Sequence, residues 1–307
     1  MSALASCAED YLAVRRALGY LLRQEGRLLV DFVDFVEGHG ESTVTIDSAL
    51  AWATLPVDAD PVWWAKRLSV VRGFARHLAT IDERTEVPPP GLLANRSHRP
   101  TPYLYSQNEV LALMAAARRL PTPLRAATFE TLIGLMATTG LRTGEAMRLD
   151  RGDVDLAAGV ITVVGAKFGK SRLVLLHDST TVALVRYAAR RDECCARPAT
   201  PSFLLSGAGT RLNHTNASTT FARLIAEAGI APAGRRRPHL YDFRHSFAVA
   251  TLVAWHNEGV DVEARLPALS TYLGHVKPSS TYWYLEAAPD LLAVAARRLE
   301  RFAGEPS

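Results

Sequence analysis

The run Pro88-Pro89-Pro90-Gly91 constrains this chain more than any other stretch. Each Pro fixes φ and removes a backbone donor, so three in succession interrupt helix and sheet alike. The segment from there to Pro102 is polar and carries further prolines. That composition marks a linker and divides the chain near residue 98. The expectation is therefore two domains, 1–98 and 99–307, each able to hold its own core in a chain of 307 residues.

The first part reads as helical. Leu12, Leu18, Leu22, Leu28, Leu29, Phe32, Val33 and Val36 recur at helical spacing, and Glu37-Gly38-His39-Gly40 ends the run. A short helix is expected near 46–54. A further helix opens at Pro61, with Trp64, Leu68, Val71, Ala75 and Leu78 on one stripe. Lys66, Arg72 and Arg76 fall off that stripe. A solvated face and a phosphate-contacting face account for them about equally well.

The second part mixes helices with one hairpin. Ser106 followed by Glu109 is a capping box ahead of the apolar run 110–117. Residues 128–139 form an apolar helix stopped by Gly140, and Thr143 is placed to cap the next short helix. Val160–Val164 and Arg172–Leu176 read as two strands joined by a basic, glycine-bearing loop, 165–171. Helices follow over 180–191, 216–228, 242–256, 266–273 and 291–302. The fold class is mainly α, an α+β chain with a small antiparallel sheet in the second domain.

Charge and cysteine content narrow the setting. Net charge is +4. Residues 1–100 hold 11 Lys and Arg against 13 Asp and Glu, leaving 24 against 18 beyond. A basic excess there is compatible with a polyanionic partner and is weak evidence alone. No apolar run reaches 18 residues, so no spanning helix and no membrane partner are expected. The first residues lack a basic stretch followed by an apolar one, so no signal peptide is read. Three cysteines, Cys7, Cys194 and Cys195, make no disulfide framework, and a reducing cytoplasm is the simplest compartment. The adjacent Cys194 and Cys195 point apart on a helix, so no metal site is expected.

The chemistry gathers on a few positions. Arg142 lies in Gly140-Leu141-Arg142-Thr143-Gly144-Glu145, Arg244 in Tyr241-Asp242-Phe243-Arg244-His245, His275 in Leu273-Gly274-His275, and Tyr284 nine residues on. Breaking a phosphodiester without metal or other cofactor requires an in-line nucleophile, cations on the non-bridging oxygens and an acid for the leaving oxygen. Arginine grips phosphate with a fork and stays protonated. Arg142 follows a helix-ending Gly and Arg244 opens a helix, so both can reach one pocket. Lys167, on the hairpin loop, is a candidate acid, with Lys170 as its alternative. A phenol becomes a nucleophile only in a cationic setting, which makes Tyr284 the candidate and Tyr282 the alternative. Taken singly, each has a plainer reading: a surface Arg, a turn Lys, a structural His, a packing Tyr. Arg235-Arg236-Arg237, just before the Arg244 helix, reads as a phosphate-contacting loop.

These motifs, in this order, closely resemble the tyrosine recombinase (phage integrase) family over about residues 102–290. The resemblance implies that Arg142 and Arg244 bind the scissile phosphate, Lys167 acts as acid, and Tyr284 forms a 3′-phosphotyrosyl link nine residues after His275. It implies that Glu145 supports the site, and that residues 1–98 are a helical core-binding domain beside a catalytic domain. The implied partner is duplex DNA, with a homotetramer on paired sites, or sister recombinases sharing the work. One position departs: the family's usual His or Lys three before the second Arg is here Tyr241, with His239 two residues earlier. Tyr241 is the favoured occupant. The expectation is a site-specific recombinase of a mobile element, without a separate arm-binding module. A non-cleaving DNA-binding relative, a chromosome-dimer resolvase and a type IB topoisomerase stand as alternatives.

Overall fold

Four helices build the N-terminal part: α1 (Ala3–Ala17), α2 (Arg23–Gly38), α3 (Ile46–Thr54) and α4 (Pro61–Leu78). Their starts follow local chemistry. Thr45 and Ser48 cap α3 reciprocally, while Asp60 accepts from the Val62 N–H and Pro61 takes the first turn of α4. Their apolar stripes meet in one core, with Phe32, Val36, Trp52, Leu68 and Phe74 buried. The α4 stripe also buries a cation. Arg67 lies over the Trp52 ring at 3.7 Å and donates to the Trp52 carbonyl at 2.8 Å.

The protein is described here by a computed structural model covering residues 2–94, 102–164, 171–231, 237–275 and 281–284. It divides into two compact units, Met1–Pro100 and Thr101–Ser307. The boundary expected near 98 falls outside the described residues, as does the helix expected over 291–302.

The second unit is organised around α6 (Pro123–Thr139), which packs against α5 (Gln107–Arg118), α8 (Asp178–Cys194) and α10 (Asp242–Asn257). Leu132, Ile133, Leu135 and Met136 are all buried, so α6 is apolar nearly all round, as a central helix must be. The expected capping box at Ser106 and Glu109 is present. A three-stranded antiparallel sheet, β1 (Val154–Asp155), β2 (Val160–Val163) and β3 (Arg172–Leu175), lies in strand order β1-β2-β3 with Ile161 opposite Val174. Further helices among the described residues are α7 (Thr143–Arg148), α9 (His214–Glu227) and α11 (Val262–Leu273).

Two local expectations need correction. Arg142, not Thr143, is the cap residue of α7, because its backbone N–H is taken by the Glu145 carboxylate at 3.1 Å. Helix α11 begins at Val262, four residues before the expected start, and carries Pro267 inside it. Asp261 caps it, and burial of Leu266, Leu269 and Leu273 outweighs the backbone bond that Pro removes. Among the described residues, no helix is long and apolar enough to cross a membrane.

Candidate active site

The C-terminal end of α11 is where the candidate residues meet. A helix leaves its last carbonyls without intrahelical donors and carries partial negative charge there. Here three successive carbonyls each receive one arginine. Arg172 donates to Tyr272 at 2.9 Å, Arg244 to Leu273 at 2.6 Å and Arg142 to Gly274 at 2.8 Å. Gly274 makes this turn feasible. It sits at φ 69°, and a Cβ there would lie 2.7 Å from the Arg172 guanidinium. Gly140 plays the matching part at the end of α6: it adopts φ 61°, a Cβ there would lie 2.6 Å from Phe247, and its carbonyl accepts from Arg244 at 2.9 Å.

One carboxylate balances two of the three cations. Glu145 accepts from Arg142 at 2.6 Å and from Arg172 at 2.7 and 3.1 Å, and its side chain is 3% exposed. Burial alone pushes this carboxyl up. The bonds and charge of Arg172, and the bonds from Arg142, outweigh burial and hold it at about 2. It is therefore a fixed anion at neutral pH. Arg244 is wholly buried. Burial lowers its pKa first and the charge of Arg142 lowers it further, but an arginine starts high enough to remain charged.

A cleft of about 450 Å³ opens beside this cluster, lined by Arg142, Thr143, Glu145, Arg148, His214 and Tyr241. Tyr241 is 40% exposed at the start of α10. His239 does not line the cleft; its backbone N–H donates to Asp242 and its carbonyl accepts from Tyr105. His275 bonds through Nδ1 to the Thr281 hydroxyl at 2.7 Å, and its ring stacks on Tyr284 at 6.1 Å. Tyr284 is 2% exposed, within the core formed by α10 and α11. Its hydroxyl bonds to His245 Nδ1 at 3.1 Å. Tyr282, two residues away, is 47% exposed.

The other expected positions are less gathered. Lys167, Lys170, Arg235 and Arg236 lie outside the described residues, and Arg237 is exposed. In the first unit, Lys66 donates to Gln24 at 2.8 Å and Arg72 to the carbonyls of Pro88 and Pro89 at 2.7 and 3.0 Å, while Arg76 is exposed. Sequence reasoning passed over Arg172, His245, His214 and Arg148. A signal existed for Arg172: it shares strand parity with the buried Val174, so its side chain faces inward. Among the described residues, no three His, Cys, Asp or Glu side chains gather as a metal site.

Comparison with known proteins adds independent findings. A family model described as the phage integrase family matches residues 104–290. The protein y4rB of Sinorhizobium fredii, named as an integrase/recombinase, is 44% identical over 308 residues and covers 98% of each chain. Tyrosine recombinase XerC of Vibrio parahaemolyticus is 30% identical over 220 residues, 72% of this chain and 66% of that one. Among solved structures, the Tn1549 transposon integrase in complex with transposon right-end DNA aligns with TM-score 0.67 at 14% identity, over 97% of this chain and 99% of that one. A lambda integrase tetramer bound to a Holliday junction aligns with TM-score 0.63 at 17% identity, over 92% and 76%. At these identities the structural likeness is one of fold.

Proposed function

The chain belongs to the phage integrase family, the tyrosine recombinases, and from that premise we propose that it cuts and rejoins duplex DNA at a specific site through Tyr284. The observation that supports this reading best is the convergence of Arg142 and Arg244 on the carbonyls that end α11, where Glu145 holds Arg142 and the His275 ring stacks on Tyr284. In the proposed reaction, the phenol oxygen of Tyr284 bonds to phosphorus and the bond from phosphorus to the 5′ oxygen breaks. The phenol proton passes to solvent water, and the departing 5′ oxygen takes a proton from Lys167. Arg142 and Arg244 carry the charge that builds on the non-bridging oxygens. Tyr241, exposed in the cleft, donates to the same phosphate. Glu145 touches no DNA; it fixes the Arg142 fork.

The same reading assigns residues 1–98 to core-site binding and 99–307 to catalysis. Arg76 in the first unit and residues 235–237 in the second contact phosphates, with Lys66 and Arg72 adding contacts on exchange of their present bonds. Contacts of that kind give affinity that falls steeply with salt. The proposed assembly is a tetramer on two paired DNA sites, in the cytoplasm, for a mobile element. A second reading, a DNA-binding relative that does not cleave, is favoured by two observations: Tyr241 replaces the usual His or Lys, and Tyr284 is buried. The two readings separate on a nicked substrate carrying the element's end sequence. The recombinase forms a denaturant-stable adduct that Tyr284→Phe abolishes while DNA binding persists. Binding without any wild-type adduct would leave only the second reading.

A further inference from the structure

We infer that His245 is a positioning residue that holds the Tyr284 phenol in a buried resting place, so that delivering the nucleophile requires breaking the bond between them. The inference rests on the reading of Tyr284 as nucleophile. The geometry is specific. His245 Nδ1 lies 3.1 Å from the Tyr284 hydroxyl. Among the described residues, three aromatic rings lie near the imidazole: Tyr241 at 5.1 Å, Trp283 at 5.5 Å and Tyr284 at 5.5 Å. The imidazole itself is buried and sits on α10 directly after Arg244. It is thus held in orientation by its neighbours, and it in turn holds the phenol.

Burial makes the bond consequential. A phenol that is 2% exposed cannot place its oxygen in line with a phosphate of a duplex outside the protein. It has to turn out of the core formed by α10 and α11. The ring of His275 also stacks on the phenol, with centroids 6.1 Å apart. Tyr282 shares the same short segment and is 47% exposed, which shows that the segment does not bury every aromatic it carries. The same bond couples the resting nucleophile to the helix that bears Arg244. Any movement of α10 on binding a phosphate therefore acts on Tyr284 through residue 245.

Two variants separate this role from plain packing. His245→Phe keeps an aromatic ring and loses the bond; His245→Asn keeps a hydrogen-bonding atom near the Nδ1 position. Without DNA, nitration by tetranitromethane, localised by mass spectrometry, compares Tyr284 with the exposed Tyr282 in one peptide. Wild type and His245→Asn are expected to protect Tyr284 relative to Tyr282. His245→Phe is expected to lose that protection by about fivefold or more, as loss of a buried hydrogen bond implies. On a nicked substrate, His245→Phe then forms the covalent adduct faster than wild type. Unchanged protection in His245→Phe would overturn the inference. So would a fall in adduct rate of a hundredfold in both variants, because His245 would then take part in proton transfer rather than in holding. Nitration needs no cleavage, so the hold is read even if Tyr284 is not the nucleophile. That separate failure would show as an adduct persisting in Tyr284→Phe.

Discussion

Replacing Glu145 with Gln tests the electrostatic core of the site. The Glu145 carboxylate is nearly inaccessible and faces two guanidiniums. Its pKa falls from an ordinary 4.5 to about 2 in the folded protein. At 1.36 kcal/mol for each tenfold change in proton affinity, a drop from 4.5 to 2 corresponds to about 3 kcal/mol of native stability. Because the folded value lies below the unfolded one, this stability is present above pH 4.5 and is lost as pH falls toward 2. Gln neutralises the anion and leaves Arg172, whose side chain is only 11% exposed, without its carboxylate. Breaking a buried pair from one side costs about 3–5 kcal/mol, so the two routes to the magnitude agree. Urea titrations of both proteins, with amide hydrogen exchange read in α10, report on the second unit alone. The expected gap between wild type and Glu145→Gln is about 3 kcal/mol or more at pH 7 and closes as pH falls from 4.5 to 2. A gap below 1 kcal/mol at pH 7, or one that stays constant down to pH 2.5, would show that the two guanidiniums do not hold Glu145 as a stabilising anion.

Gly274→Ala places a methyl against Arg172 and forces φ 69° on an L-residue; the left-handed backbone alone costs about 1–2 kcal/mol, and a thermal melt of the full chain should fall accordingly. Arg142→Ala and Arg244→Ala should both slow single-turnover cleavage by at least about a hundredfold. They should differ in stability, because Arg244 is wholly buried and bonds two carbonyls whereas Arg142 is partly exposed; equal melting curves for the two would contradict that difference. Cleavage should proceed in excess chelator, since the proposed chemistry passes through arginine, lysine and tyrosine alone, and a strict need for magnesium in the cutting step would oppose it.

What the sequence made legible was whatever has a local cause. The Ser106 and Glu109 box, Pro61 at a helix start, and Gly140 and Gly274 at helix ends each announce themselves through backbone chemistry within a few residues. Ordered motifs singled out Arg142, Arg244 and Glu145, which the structure places close together. What escaped depends on partners distant in the chain. Arg67 reads as a polar helix position until Trp52 is seen beneath it. Arg172 reads as a hairpin charge until Glu145 and the end of α11 are brought to it. In α11, Pro267 taken alone argues for a break, while three buried leucines on one face hold the helix together. Nothing in the order of residues 281–284 indicates that Tyr284 is buried and Tyr282 exposed, because that depends on packing against α10 and α11.

In the proposed reaction Tyr284 becomes covalently joined to DNA. The direct measurement is to trap the adduct on a nicked substrate bearing the element's own end, digest protein and DNA, and locate the residual nucleotide by mass spectrometry. The nucleotide is expected on Tyr284. A nucleotide on Tyr282, or on any other residue, would contradict it.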